Sequence, residues 1–335
     1  MNAPLVSVKM ITFNHAPFIA QAIEGVLNQD TSFPFELVIG EDCSADGTGE
    51  IVHHYQKKYP DIIRIVTSDQ NVGMKKNSYR TTKACKGTYI AFCEGDDYWH
   101  HPGKIQKQVD YFEINPNCGM VYTNYDVYHP KSRRRINDFI KYRNWHIPEH
   151  WDVESFVGGG VGSGRGILTC TVMARLSLVN MIIDADPYLH QNPKFLMGDT
   201  QLWAEIISQS RVHYIPESLA THIITDESAT RSKDVKKVVL FNISNAELML
   251  ALCEKYNLSS TIRNKHLNYW CDSALRLSFH TQDKKLADEV REIKKIFNIK
   301  EWCRFYGAQN RLVHCAFKMF TSIINLFREK FIQWI

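Results

Sequence analysis

Several common signatures are missing from this 335-residue chain, and each absence narrows what the protein can be. No two of its nine cysteines form a C-x-x-C pair, and an odd, scattered set fits buried thiols in a reducing compartment better than a disulfide framework or a zinc site. No apolar run reaches the length that crosses a bilayer, and the chain enters residues 6–12 without a basic leader and cleavage site. The expectation is a cytoplasmic protein. Charge of one sign is also scarce, since a formal net charge of +4 is too small to argue for nucleic acid. No G-x-G-x-x-G follows the first apolar run, which disfavours a dinucleotide-binding fold. What is present, 44% hydrophobic and 23% charged residues, describes a globular chain long enough for one large domain and an appendage.

Periodicity supplies the first half of the architecture. Leu5–Thr12 is an apolar, β-branched run, and Ala16–Gln29 carries apolar residues at helical spacing. Phe35–Ile39 predicts a second strand, followed by a helix to about Tyr59 that Ser44 or Asp46 can cap. Ile62–Thr67, a short helix over Asn77–Cys85 and a strand over Tyr89–Cys93 complete four strand-helix alternations, the pattern of a mostly parallel α/β sheet. A helix over Pro102–Asn115, strands at Met120–Asn124 and Ile167–Met173, and a helix opening at Gly198-Asp199 follow. The glycine-rich stretch Gly158–Gly166 reads as a connector or as a lid with glycine hinges. Past Arg231 the pattern turns helical, over Val235–Tyr256, Thr261–His280, Lys284–Phe297 and Trp302–Trp334. A boundary near residue 230 is expected.

The chemistry concentrates at strand ends. Tyr89–Cys93 stops in Glu94-Gly95-Asp96-Asp97, three carboxylates at the carboxyl end of a buried strand, where open α/β sheets bind ligands. Crowded acids repel one another and resist desolvation, so a divalent cation with oxygen preference, Mn²⁺ or Mg²⁺, is the functional reading and a solvated acidic loop the bland one. Glu41-Asp42 closes the second strand in the same way.

Four segments in order, T-F-N after the first strand, E-D-C-S-A-D-G-T after the second, N-V-G-M-K-K-N before the fourth and E-G-D-D-Y-W after it, together resemble the family 2 glycosyltransferases of GT-A fold. The resemblance covers about residues 4–230 and is best over the first 125. It implies a Rossmann-like, mostly parallel twisted sheet with flanking helices, extended here by an α-helical C-terminal region. It also implies a nucleotide-sugar half over about 1–125 and an acceptor half over about 126–230, ahead of a helical domain at 231–335. By the resemblance, Phe13 stacks on the nucleobase between Thr12 and Asn14, and Asp42 accepts a base N–H, usually of uracil. Glu41 stands where the family commonly has Asp. Lys75 and Asn77 fall where members touch the nucleotide, although a solvated loop lysine is the plain alternative for Lys75. Asp96 would serve ribose and metal, and Asp97 the metal, with Glu94 beside them. Asp199 in M-G-D-T-Q-L-W matches the family's catalytic base, with Gly198 replacing the preceding acid; a helix N-cap is the other role open to it. The family's later histidine aligns with Thr225, which leaves His222 as the nearest imidazole for the metal. Arg165, Thr169 and Trp203, and the basic knot of Lys131, Arg133, Arg134 and Arg135, are candidates for the acceptor or a phosphate.

The activity implied is an inverting, metal-dependent transfer of a sugar from a nucleoside diphosphate, UDP first, to a hydroxyl of a glycan or lipid-linked acceptor in polysaccharide or lipopolysaccharide synthesis. A non-catalytic sugar-nucleotide scaffold and a sugar nucleotidyltransferase are the competing readings. The tail 311–335 interleaves cations with Phe and Trp, which suits either an anionic membrane surface on the inner face of the cytoplasmic membrane or docking on other helices or a second subunit.

Overall fold

A computed structural model describes residues 3–159, 167–225 and 234–319. The chain divides into two compact units, Met1–Thr225 and Asp226–Ile335. In the first, β1 (Val6–Thr12), α1 (Ile19–Leu27), β2 (Phe35–Glu41), α2 (Thr48–Lys58), β3 (Ile63–Val66), α3 (Met74–Ala84) and β4 (Tyr89–Phe92) alternate as the periodicity predicts. Then come β5 (Tyr98–Trp99), α4 (Lys104–Ile114), β6 (Cys118–His129), β7 (Arg134–Ile136), α5 (Phe139–Tyr142) and α6 (Val153–Gly158). The unit closes with β8 (Met173–Arg175), α7 (Leu176–Ala185), α8 (Pro187–Gln191), α9 (Thr200–Gln209) and β9 (Arg211–Ile223).

The strands form one nine-stranded sheet in the order β3-β2-β1-β4-β8-β6-β9-β5, with β7 paired to β6. Strands β1 to β4 are mutually parallel, and β8 enters antiparallel between β4 and β6. Strand β1 is central and buried along both faces, so Val6, Val8 and Met10 meet Ile23, Leu37 and Ala91 in the largest core. Because β1, β2 and β4 run the same way, their carboxyl ends at Thr12, Glu41 and Phe92 open on one edge of the sheet. Gly87, just before β4, touches the β1 backbone: a Cβ there would lie 2.6 Å from the Ser7 nitrogen and 2.8 Å from the Val6 carbonyl carbon. Neither atom can yield, so Gly87→Ala is expected to destabilise the fold by about 1–3 kcal/mol, read as a lower urea midpoint at unchanged m-value.

Four expectations change. Helix α3 begins at Met74, one turn before Asn77, because Gly73 at φ +84° turns the chain into it and its carbonyl accepts the Asn77 N–H. Strand β6 runs twelve residues instead of five, since it is paired along its length by β9, a thirteen-residue strand the periodicity does not announce. Pro216 hides β9, because a proline argues against a central strand. It is accommodated where the register skips from Ile215 to Ser218, leaving Pro216 and Glu217 unpaired in a bulge. Residues 167–172 are not a strand, and only Met173 of the expected run joins β8: Thr171 bonds back to the Leu168 carbonyl through both its N–H and its hydroxyl, making a 3₁₀ turn over Thr169–Thr171 ahead of that strand.

Lys104, at the start of α4, is wholly buried, bonded to Gln108 at 2.8 Å and lying 4.2 Å from the centre of the Trp99 ring. Burial pulls its ammonium from the ordinary 10.5 down to about 7. The unfolded chain therefore keeps a proton that the folded chain releases between those values, so this residue makes stability rise with pH across that window. Lys104→Met is expected to remove that share of the rise, stabilising the protein by on the order of 1 kcal/mol or more at pH 7 and by less at pH 9, as read from urea titrations at the two pH values.

The second unit contains α10 (Val235–Lys255), α11 (Ser260–Thr281), α12 (Lys284–Ile293) and α13 (Ile299–Gln309), packed around Ala246, Trp270, Leu275, Val290 and Phe297. The fourth expected helix is not continuous. Helix α13 ends at extended Asn310, whose side chain accepts the Leu312 N–H, and residues 311–319 start a new helical segment. Residues 320–335, and with them most of the cationic tail, lie outside the described residues, as do Arg165, most of the glycine-rich stretch and the expected boundary near 230.

Candidate active site

The acidic turn after β4 is built on the neighbouring strand. The Gly95 N–H bonds the Ile11 carbonyl, and a Cβ at Gly95 would lie 2.6 Å from the Thr12 hydroxyl and 3.0 Å from His15 Nδ1. Only glycine lets the chain pass that close. The turn closes with the Asp97 N–H on the Glu94 carbonyl, and β5 then pairs antiparallel with β9, Tyr98 against Thr221. Extending that register by one residue brings Asp97 to His222. Its Nδ1 lies 2.9 Å from Asp97 Oδ1, and the Ile223 N–H donates to the same oxygen at 2.9 Å.

The electrostatics are those of crowded acids. Glu94 is pushed up to about 8 by burial and by Asp97 and Asp96, and its Oε2 has no hydrogen-bond partner. Asp96 is raised by burial and by Asp97, against the pull of His15, whose Nε2 stands 4.0 Å away, and of His222. In His222 burial disfavours the proton, yet Asp97, Asp96 and Glu94 together hold its pKa above the ordinary value. Among the described residues no three His, Cys, Asp or Glu side chains already converge as a metal-binding group. The donor set nevertheless fits a divalent ion: carboxylate oxygens with one imidazole nitrogen, and a buried carboxyl oxygen left without a donor.

Beside this turn, the loops after β1 and β2 are laced together. The Asn14 N–H donates to Ser44 Oγ, the Asn14 amide oxygen accepts from Ala45, and Asp46 Oδ2 and Thr48 Oγ1 accept from Ala16 and His15. Burial works against ionising Asp46, but the Thr48 hydroxyl and backbone donors outweigh it and hold its carboxyl below the usual range. Phe13, next to the laced Asn14, is 43% exposed, an aromatic side chain left open, while the Thr12 hydroxyl is buried without a partner. Asp42 is 2% exposed, and its two oxygens accept the Val72 and Gly73 N–H groups at 2.9 Å each. Its first structural duty is thus to hold the 71–73 loop. Glu41 does the same for the turn at Cys43 and Ser44. Asn77 is buried with its amide engaged at both ends, by the Gly40 carbonyl at 2.7 Å and by Arg80 at 2.9 Å, so it supports the end of β2 and the start of α3. Arg80, which sequence reasoning passed over, also reaches the Glu41 carbonyl and Asp42 Oδ1. Its one signal was its place on α3 three residues after Asn77.

Asp199 stands at the start of α9. Oδ1 accepts the Thr200 N–H at 2.7 Å, the N-cap bond, and Oδ2 accepts the Thr169 hydroxyl at 2.9 Å. The 3₁₀ turn therefore orients Asp199, and Thr169 is a support for it. Lys75 Nζ is buried without a hydrogen-bond partner; burial lowers its pKa to about 8 while Asp199 acts to raise it. Asp199 also adds to the field at Glu94, which places the start of α9 beside the acidic turn. Trp203 does not face this space. It is 2% exposed, edge-on to Phe92 at 5.3 Å, because α9 turns that face onto the sheet. In the basic knot, Arg135 is committed to Asp126, Thr221 and Tyr98, which stiffens the β5–β6–β9 corner next to Asp97.

Comparison with known proteins bears on the family and the fold. Residues 7–161 match the family described as glycosyl transferase family 2. The putative teichuronic acid biosynthesis glycosyltransferase TuaG of Bacillus subtilis is 33% identical over 125 residues, 37% of this chain and 48% of its own length. Across the curated relatives that are 33–38% identical, the first of them uncharacterized mycobacterial proteins, the chain spans about a quarter to a half of their length. Among solved structures, Staphylococcus aureus TarS 1-349 in complex with UDP-GlcNAc superposes with a TM-score of 0.53 at 14% identity, over 90% of this chain and 79% of that one. The mannosyltransferase PcManGT of Pyrobaculum calidifontis, in complex with GDP-Man and Mn²⁺, gives 0.55 at 13%, over 94% and 87%. These two share the fold with this chain.

Proposed function

The chain belongs to the family 2 glycosyl transferases through residues 7–161, and on that premise we propose that it transfers a sugar from a nucleoside diphosphate donor to a hydroxyl, with inversion at the anomeric carbon. The observation that carries the reading is the clustering of Glu94, Asp96, Asp97 and His222 at the end of β4, with Asp199 adding to the field at Glu94. Phe13 offers its open face to the base. Asp42, with a lone pair left on Oδ2, is the acceptor for a base N–H, and the loop it fixes shapes that pocket. A UDP-sugar is the first donor to try, since TarS binds UDP-GlcNAc.

Asp96 and Asp97, with Glu94 and His222 beside them, would hold Mn²⁺ or Mg²⁺. When bound, such an ion neutralises charge building on the diphosphate leaving group. Asp199 takes the acceptor hydroxyl's proton as the acceptor oxygen bonds to C1 and the C1–O bond to the diphosphate breaks. Thr169 and the Thr200 N–H fix the carboxylate for that attack. Catalysis is assigned to residues 1–230 and an accessory role to 231–335. The acceptor we infer is a glycan or a lipid-linked glycan of polysaccharide synthesis, the setting in TuaG's name, and the protein would work peripherally at the membrane. No described helix is long and apolar enough to cross one.

The test is release of nucleoside diphosphate from a panel of UDP-, GDP- and dTDP-sugars with Mn²⁺. Turnover that EDTA abolishes is expected for one base; no turnover across the panel with added glycan acceptors would overturn the reading.

A further inference from the structure

We propose that the turn joining α12 to α13, residues 293–300, is a docking surface for an anionic lipid bilayer, separate from the donor site and from the tail at 311–335. The segment reads I-K-K-I-F-N-I-K and is held rigidly from within. Phe297 is buried against Trp302 and Phe305, with ring centres 5.2 and 5.8 Å away, and Arg291 lies over the Phe297 and Trp302 rings. Asn298 and Glu301 form a reciprocal capping box at the start of α13, and Lys294 bridges to Glu301 at 2.6 Å.

With Phe297 fixed inward, the residues on either side point out. Ile296 is 84% exposed and Ile299 83%, with Ile293 43% exposed next to them. Such exposure on an ordered turn is unfavourable in water and calls for an apolar occupant. The flanking charge selects which one. Lys295 and Lys300 are exposed on either side of the isoleucines, and the segment itself holds no acid, the exposed Glu292 lying just before it. A symmetric contact between two copies would set these lysines against their own counterparts. A bilayer with anionic headgroups instead pairs with the lysines while the isoleucines enter the acyl boundary.

Sedimentation of the full chain with vesicles of phosphatidylcholine alone, and with phosphatidylglycerol added, tests this. Binding is expected to the anionic vesicles only, to weaken with added salt, and to fall about tenfold or more in the double variant Ile296→Glu, Ile299→Glu. Circular dichroism and nucleoside diphosphate release should be unchanged in that variant. Native binding that the double variant leaves intact would overturn the turn while sparing a tail-mediated contact; no native binding would overturn both. A native dimer in analytical ultracentrifugation that the variant dissociates would assign the surface to self-association and overturn the lipid assignment.

Discussion

Replacing Asp199 by Asn is expected to lower transfer about 10²–10⁴-fold with little change in stability or in donor binding. The two outcomes separate because the residue has two roles. As an N-cap, Asn serves nearly as well as Asp, since its amide oxygen can still accept the Thr200 N–H, so the unfolding midpoint should hold within about 0.5 kcal/mol. As a base, the amide cannot take a proton. A fall in kcat with an unchanged apparent donor affinity is therefore the signature, measured by steady-state nucleoside diphosphate release. A variant that is as active as the native chain would leave Asp199 a cap and nothing more. Thr169→Val should show a smaller loss of the same kind, because it frees Oδ2 without removing the carboxylate.

Asp97→Ala should be more damaging still, to both fold and function. It strips the partner from His222 Nδ1 and from the Ile223 N–H, two donors at the junction of β5 and β9; stranding the buried Ile223 N–H costs about 1–3 kcal/mol, and the partly exposed imidazole less. It also removes the carboxylate that contacts His222 and raises Asp96 in the proposed metal site. The expected result is turnover at background together with loss of any Mn²⁺-induced rise in melting temperature. Asp97→Asn separates the two effects: it keeps an oxygen for Ile223, so stability should largely return while turnover does not.

How much of this was legible beforehand follows from where the information sits. Strands β1 to β4 and the acids at their ends are written in local sequence, as apolar runs that stop in Glu41-Asp42 and Glu94-Gly95-Asp96-Asp97. Long-range pairing is not. His222 reaches Asp97 only because β9 pairs with β5 across more than a hundred residues, and Pro216 disguised the strand that carries it. Burial was the second blind spot. Trp203 and Asn77 are candidates through the family resemblance, yet one packs on Phe92 and the other bonds Gly40 and Arg80 inside the fold. Thr169 lay in an apolar run that looked like a strand; the hydroxyl bond from Thr171 to Leu168 makes it a turn and aims Thr169 at Asp199.

The central claim is that the strand ends of β1, β2 and β4 form a metal-assisted nucleoside diphosphate site. Isothermal titration of UDP and of GDP into the native chain, with Mn²⁺ and with EDTA, addresses it most directly. The account predicts binding of one nucleotide that requires Mn²⁺ and weakens about tenfold or more in Phe13→Ala, the loss of one stacked base. Equal binding with and without the metal, or binding indifferent to Phe13, would contradict it.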